Sequence, residues 1–152
     1  IVVFLQHNMT FNSSNYQQIL ENIGKYGKKN VKMVAISKNH SAESIKNAIN
    51  SGIRIFGENR VQEAEKKFLD LKNKFLDLEL HLTGPLQTNK VKNAIKIFDL
   101  FQTLDREKLA KEFSKHTESI KNKIFFIQVN IGGEKTKSGI LPEIADEIYN
   151  IC

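Results

Sequence analysis

The sequence is poor in cysteine, proline and tryptophan, and it has no long apolar run. Of its 152 residues, one is cysteine, two are proline and none is tryptophan. Because the single cysteine is Cys152, no internal disulfide can form. No apolar stretch approaches the roughly 20 residues that span a bilayer, and the run at residues 1–5 is too short for a signal-peptide core. These features predict a cytoplasmic protein with no membrane partner.

Arginine is also scarce, although the chain is basic. The formal net charge is +6, yet among the 23 basic residues only Arg54, Arg60 and Arg106 are arginine. Proteins that recognise nucleic acids favour arginine for bidentate contacts and cluster their positive charge against phosphates. The lysines of this chain are instead spread along its whole length among acidic residues. We therefore expect no nucleic-acid partner.

Short apolar runs alternate with longer amphipathic stretches, which is typical of βα units around a parallel sheet. Strands are expected over residues 31–36, 53–56, 78–82, 98–104 and 124–130. The last of these runs is mostly apolar and suits a strand that is buried on both faces. The predicted fold class is α/β.

Amphipathic helices are expected around these strands. They are a helix over 13–26, one that Ser41 caps and Gly52 ends, one over 58–76, one over 88–96, one that Asp105 caps, and one that starts near Pro142. Serine and aspartate are preferred caps, and proline fits the first turn of a helix. The expected architecture is an N-terminal helix followed by five βα units.

We expect a single domain over residues 13–152, preceded by a flexible N-terminal extension over residues 1–12 in which Met9 is the hypothetical natural start. Five units are fewer than the eight of a closed (β/α)₈ barrel, which takes ~250 residues. The pattern alone leaves two arrangements open: an open doubly wound sheet, or a (β/α)₈ barrel without its last units. The second would leave an open sheet edge, through which an otherwise monomeric chain can self-associate.

Polar residues stand where the predicted strands end. Lys38 ends the first strand, Asn59 follows the second, and His81 lies near the end of the third. Ligand sites of parallel sheets gather at these carboxyl ends, and a partly buried lysine can supply a neutral amine that attacks aldehydes. Each residue also has an ordinary explanation, as a solvated loop lysine, a helix start and a hydrogen-bonded structural histidine.

Other motifs are incomplete. Residues 132–136 read Gly-Gly-Glu-Lys-Thr, which lacks the spacing of a phosphate-binding P-loop. No Gly-x-Gly-x-x-Gly is present, so a dinucleotide site has no support. Because His81 has no second histidine or cysteine at ligand spacing, we expect no metal site.

Four motifs together give a more specific signal than any of them alone. They are VAISK at 34–38, FGENRVQE at 56–63, HLTGPLQTNK at 81–90, and QVNI with KTKSG at 128–131 and 135–139. In their order and intervals the chain resembles the pyridoxal phosphate homeostasis protein family.

The resemblance implies a fold, a cofactor and a set of site residues. The fold would be a barrel similar to the N-terminal domain of alanine racemase, here incomplete. Pyridoxal 5'-phosphate would be held as a Schiff base on Lys38, with Asn59 and His81 beside its ring. The implied role is intracellular homeostasis of this small-molecule cofactor, with no catalytic reaction of the protein's own.

The family's phosphate-binding residues belong to a C-terminal segment that this sequence does not contain. We therefore expect these 152 residues to bind the cofactor weakly if at all. Two alternatives stay open. One is a pyridoxal phosphate-dependent enzyme similar to an amino-acid racemase, which would need a second acid/base on the other face of the cofactor. The other is a truncated fragment without function.

Overall fold

Six parallel strands form one sheet in the computed structural model, which describes residues 2–4, 11–26 and 31–151. The strands are β1 Val2–Phe4, β2 Val34–Ile36, β3 Ile55–Glu58, β4 Glu79–Leu82, β5 Leu100–Leu104 and β6 Ile124–Ile127. The helices are α1 Ser13–Tyr26, α2 Ala42–Asn50, α3 Val61–Lys74, α4 Val91–Ile97, α5 Glu107–Ser114, α6 Thr117–Ile120 and α7 Ala145–Ile151, with 3₁₀ turns at Thr88–Lys90 and Pro142–Ile144.

The strand order decides between the two arrangements that the sequence left open. From β1 to β6, each strand lies beside the next one along the chain, and all pairs are parallel. A doubly wound sheet reverses its strand order at a switch point, whereas a (β/α)₈ barrel winds in one direction. The chain therefore forms the first part of a (β/α)₈-type barrel, as the resemblance implied.

Local sequence signals place the first helices as predicted. The helix α1 has the expected bounds. The hydroxyl of Ser41 accepts a hydrogen bond from the backbone N–H of Ser44 at 3.1 Å and so caps α2. Gly52 follows that helix with a φ of 98°, a left-handed conformation that glycine adopts at little cost.

The predicted cap at Asp105 is wrong. Arg106 occupies the cap position of α5, and no side chain caps that helix. The Asp105 carboxylate instead pairs with the Arg106 guanidinium, which also donates to the backbone carbonyl of Leu86 at 2.6 Å. A contact between two loops has thus replaced the local cap.

The predicted N-terminal extension also needs a correction. Residues 2–4 form strand β1, which pairs with β2 in the register Val2 to Val34 and Phe4 to Ile36. These residues supply backbone hydrogen bonds to the edge of β2, so this part of the segment belongs to the sheet. Met9 lies outside the described residues.

The strand β6 is not buried on both faces, contrary to the prediction. Ile124 is 52% exposed and Phe126 is 51% exposed, while Phe125 and Ile127 pack against the core. Among the described residues β6 is an edge strand, so nothing covers the face that Ile124 and Phe126 share. An apolar sequence run shows that a strand can be buried on both faces, but neighbouring elements decide whether it is.

The main core lies between the sheet and its helices. Phe56 of β3 packs on Phe68 of α3, with ring centroids 5.4 Å apart. Further along the sheet Phe101, Phe113 and Phe125 form a cluster with centroid distances of 4.8–5.1 Å. This packing holds β2–β5 rigidly enough to fix the positions of their carboxyl ends. In the part of the chain that the structure describes, no helix is long and apolar enough to cross a membrane.

Candidate functional site

The sheet register brings the carboxyl ends of β2, β3 and β4 side by side. Ile36 pairs with Gly57, and Gly57 pairs with His81. Two positions further along the three chains lie Lys38, Asn59 and Thr83. The three residues predicted from the sequence therefore come from adjacent strands, with Lys38 and Asn59 two residues beyond the level of His81.

Side-chain alternation assigns these residues to one side of the sheet. A Cβ built on Gly57 would lie 2.5 Å from Ile36 Cδ1 and 3.3 Å from Val34 Cγ1, so these residues share a side. We call it the concave side, and the opposite one, which α2 and α3 cover, the helix side. Ser37 faces the helix side, because its hydroxyl donates to Glu58 Oε1 at 2.7 Å. Lys38 is partly buried in the turn that follows the strand, and continued alternation would place its side chain on the concave side.

His81 is buried on the concave side between two polar side chains. Its Nε2 lies 2.7 Å from Glu79 Oε1, and its Nδ1 lies 2.9 Å from Gln102 Nε2. A carboxylate only accepts and an amide nitrogen only donates, so the ring carries its proton on Nε2 and accepts on Nδ1. Glu79 also lies 3.5 Å from Lys32 Nζ. We call Glu79, His81 and Gln102 the His81 cluster.

Asn59 is held by the loop that follows β4. Its Oδ1 accepts a hydrogen bond from the Thr83 hydroxyl at 2.9 Å. A Cβ on Gly84 would lie 2.6 Å from the Asn59 carbonyl oxygen and 2.8 Å from its Cα, so glycine is required for this close approach. Gly84, in the motif at 81–90, thus allows the close packing that holds Asn59, in the motif at 56–63.

A charged cluster occupies the helix side directly behind Lys38. Lys67 of α3 donates to Glu58 Oε1 at 3.0 Å, to Glu63 Oε1 at 2.6 Å and to the backbone carbonyl of Ser37 at 2.8 Å. The Glu58 side chain is fully buried, and that of Lys67 is 12% exposed. We call Glu58, Glu63 and Lys67 the Lys67 cluster.

The two carboxyl groups of the Lys67 cluster respond in opposite ways. Burial raises the pKa of Glu58 above its usual value, and the hydrogen bond from Ser37 and the charge of Lys67 offset this only in part. Burial also acts to raise the pKa of Glu63, but hydrogen bonds from Lys67 and from the Asn39 N–H outweigh it, so this pKa lies below its usual value. Hydrogen bonding therefore outweighs burial at the partly exposed Glu63 but not at the fully buried Glu58.

A cleft of about 550 Å³ opens beside Asn59 at the same edge of the sheet. Three basic side chains line it together with Asn59, namely Arg60, Lys90 and Arg106. Lys38 and His81 do not line this cleft, so it is adjacent to the register-defined site rather than identical with it. We define the candidate site by the register, because strand pairing fixes the positions of the predicted residues.

The sequence analysis missed the Lys67 cluster and the basic residues of the cleft. Glu58 belongs to the motif at 56–63, but no role was predicted for it. An acidic residue in an apolar strand indicates a buried partner. Lys67 falls between Ala64 and Phe68 on the apolar stripe of α3, and it follows Glu63 at the i,i+4 spacing. These two signals could have identified the cluster. Among the described residues no group of three acidic, histidine or cysteine side chains could hold a metal ion.

Comparison with known proteins agrees with the resemblance found in the sequence. A family model described as alanine racemase, N-terminal domain, matches residues 12–152. The pyridoxal phosphate homeostasis protein of Aquifex aeolicus is 43% identical over 136 residues, which cover 88% of this chain and 58% of that protein. Its name describes homeostasis and not an enzymatic reaction.

Solved structures show the same fold. PipY from Synechococcus elongatus without PLP superposes with a TM-score of 0.76 at 32% identity, covering 88% of this chain and 63% of PipY. The structure of PipY with PLP bound gives a TM-score of 0.73 at 30% identity, with 88% and 62% covered.

The chain thus spans about three fifths of the length of these relatives. The family model nevertheless covers residues 12–152, which are nearly all of the chain. The chain therefore belongs to the alanine racemase N-terminal domain family, and its resemblance to the pyridoxal phosphate homeostasis proteins is confirmed.

Proposed function

We propose that this chain binds pyridoxal 5'-phosphate through a Schiff base on Lys38, contributes to intracellular homeostasis of that cofactor, and catalyses no reaction of its own. The observation that supports the proposal is the register that pairs Ile36 with Gly57 and Gly57 with His81, with Lys38 and Asn59 two residues further along their chains. PipY, which superposes on this chain at 30% sequence identity, is known with PLP bound.

The residues on the concave side suit the reactive end of this cofactor. A primary amine on Lys38 can condense with its aldehyde, while Asn59 and Thr83 offer polar atoms at the same level of the sheet. His81, held by the His81 cluster, presents a fixed imidazole one step below. When bound, the cofactor supplies an aldehyde that reacts reversibly with amines.

Storage without turnover follows from the chemistry of proton transfer. A racemase needs an acid/base on each face of the bound cofactor, whereas storage needs only the amine of Lys38. Incubation of the cofactor-loaded chain with single enantiomers of amino acids, followed by chiral chromatography, tests this point. Sustained appearance of the opposite enantiomer would establish the racemase alternative instead.

Titration with pyridoxal phosphate followed by borohydride reduction tests the proposed anchor. We expect the imine absorbance and the reduced label, mapped by mass spectrometry, to be at Lys38 and to vanish in Lys38→Ala. The matched control is Lys46→Ala, which removes an exposed lysine from the neighbouring helix α2. Equal labelling of Lys38→Ala and the control would refute the assignment.

We expect residues 1–152 to bind pyridoxal phosphate only weakly. Tight stoichiometric labelling would contradict this expectation. A cytoplasmic location, the absence of a nucleic-acid partner and a monomeric state with self-association through the sheet edge also stay predictions. So does the assignment of residues 13–152 to one incomplete barrel domain.

A further inference from the structure

The backbone on both sides of Lys38 is held by side chains from outside β2. The carbonyl of Ser37 accepts a hydrogen bond from Lys67 Nζ at 2.8 Å. The N–H of Asn39 donates to Glu63 Oε1 at 2.7 Å. Lys38 therefore lies between two backbone groups that the Lys67 cluster binds directly, and Lys67 and Glu63 are themselves 2.6 Å apart.

The turn at Lys38 lies beyond the end of the strand. The strand β2 ends at Ile36, the Ser37 N–H still donates to the Gly57 carbonyl at 2.9 Å, and the His40 N–H closes the turn by donating to the Ser37 carbonyl at 3.0 Å. Asn39 has a φ of 64°, in the left-handed region that non-glycine residues rarely adopt. Contacts with α3 and Glu58 thus supply what the sheet no longer provides at this point.

We propose that Lys67, together with Glu58 and Glu63, is a positioning residue that orients Lys38 from the helix side, so that its amine projects from the concave side. This rests on the proposed function of Lys38. The Ser37 hydroxyl adds a third tie, because it donates to the buried Glu58 carboxylate at 2.7 Å. None of the three cluster residues contacts the concave side through a hydrogen bond among the described residues.

The physical reason is the flexibility of a lysine side chain. An amine on a four-carbon stem reacts efficiently only when its Cα and the adjoining peptides are fixed, because misplacement by about 1 Å can cost two orders of magnitude in rate. A cluster at the backbone can provide this order without contacting the ligand. Lys67 is well suited, since one ammonium reaches the Ser37 carbonyl and both carboxylates.

The first test compares Lys67→Met with Lys66→Met in the whole chain. Methionine keeps an unbranched side chain but removes the ammonium, and Lys66 is the exposed neighbour on the same helix. We expect the initial rate of borohydride-fixed labelling at Lys38 to fall about tenfold or more in Lys67→Met and to stay unchanged in Lys66→Met. Lys67→Arg, which keeps a charged donor, should recover part of the rate.

A second readout needs no cofactor. Competitive acetylation of the cofactor-free chain across a pH series reports the reactivity of each lysine by mass spectrometry. We expect the pH profile of Lys38 to change in Lys67→Met and that of Lys46 to remain as in the parent chain. A residue that served stability alone would leave the profile of Lys38 unchanged in a folded variant.

Loss of Lys67 leaves the buried Glu58 without its cation, so the single variant can unfold. The double variant Glu58→Gln with Lys67→Met removes both charges and keeps the shape of the site. We expect it to recover the melting temperature of the parent chain but not its rate of labelling at Lys38. Recovery of both would show that the cluster only stabilises the fold, and the positioning role would be refuted.

The two proposals fail in different ways. If the parent chain is labelled elsewhere than at Lys38, the proposed function is wrong and the positioning role loses its purpose. If the parent chain is labelled at Lys38 and the folded double variant is labelled equally fast, only the positioning role is wrong.

Discussion

The Lys67 cluster lies on the helix side of the sheet at β3, the His81 cluster lies on the concave side at β4 and β5, and Glu58 of the first is far less accessible to water than Glu79 of the second. The Glu58 side chain is fully buried and that of Lys67 is 12% exposed, whereas the Glu79 side chain is 29% exposed. A buried charge must be balanced by partners within the protein, but a partly exposed polar group can exchange its partners for water or a ligand. The comparison teaches that buried charged groups bind the backbone on the helix side, whereas His81 on the concave side is bound by a carboxylate that water can reach.

The largest expected effect of a substitution on stability is at Lys67. Lys67→Met leaves Glu58 buried without a cation, which typically costs about 3 kcal/mol or more. The free energy of unfolding, measured by urea denaturation monitored by circular dichroism, should fall by this amount. Lys66→Met should stay within about 0.5 kcal/mol of the parent chain. Equal losses of stability in Lys67→Met and Lys66→Met would show that the Lys67 cluster is not buried away from water.

Substitution of Gly84 tests whether the concave side is also tightly packed. In Gly84→Ala the new Cβ would meet the Asn59 backbone at 2.6 Å, and such overpacking typically costs about 1–3 kcal/mol. Gly24→Ala is the control, because Gly24 lies in the last turn of α1 and a Cβ there meets nothing within 4 Å. We expect that change to stabilise the chain by about 0.5–1 kcal/mol. An unchanged free energy of unfolding in Gly84→Ala would show that the loop after β4 can shift to accommodate the added methyl group.

A smaller loss is expected at His81. His81→Ala removes the hydrogen bonds to Glu79 and Gln102, but both partners are partly exposed and can bind water instead. The expected cost is about 1–2 kcal/mol, below that of Lys67→Met in the same urea titration. If His81→Ala lowered the free energy of unfolding more than Lys67→Met does, the His81 cluster would be the more stabilising of the two clusters.

The smallest effect is a pH dependence at Glu58. Because its pKa is raised on folding, Glu58 contributes stability below its unfolded value of 4.5, and this contribution is lost as the pH rises through the folded value. Glu58→Gln has no such loss. The free energy of unfolding of this variant, relative to the parent chain, should therefore rise as the pH increases above the unfolded value of 4.5. A flat or falling difference would contradict the raised pKa.

The opposite dependence belongs to Glu63, whose pKa is lowered. It contributes stability above the unfolded value and loses it as the pH falls through the folded value. Since Glu63 is present in both proteins of the Glu58→Gln comparison, its contribution cancels to first order.

Local features of the fold could be predicted from the sequence. The bounds of α1, the Ser41 cap and the succession of strands from β2 to β6 depend on residues close together along the chain. The parallel sheet then followed from the alternation of strands and helices. Lys38, Asn59 and His81 could be selected because each stands at the end of such a strand, although their role stays a prediction.

Features that depend on distant residues could not be predicted in this way. Asp105 has the composition of a helix cap, but Arg106 and the loop at Leu86 draw it into an ion pair. The strand β6 has the composition of a buried strand, but its position at the edge leaves Ile124 and Phe126 exposed.

The sequence by itself determined the alternating βα pattern, the main helix signals and the four motifs, because propensity and periodicity act over a few residues. Only the tertiary structure decided that the sheet winds in one direction and that Ser37, Glu58 and Lys67 meet behind Lys38. Ser37 and Glu58 are 21 positions apart, and no local preference specifies such a contact. It forms because burial leaves each polar group no partner except the others.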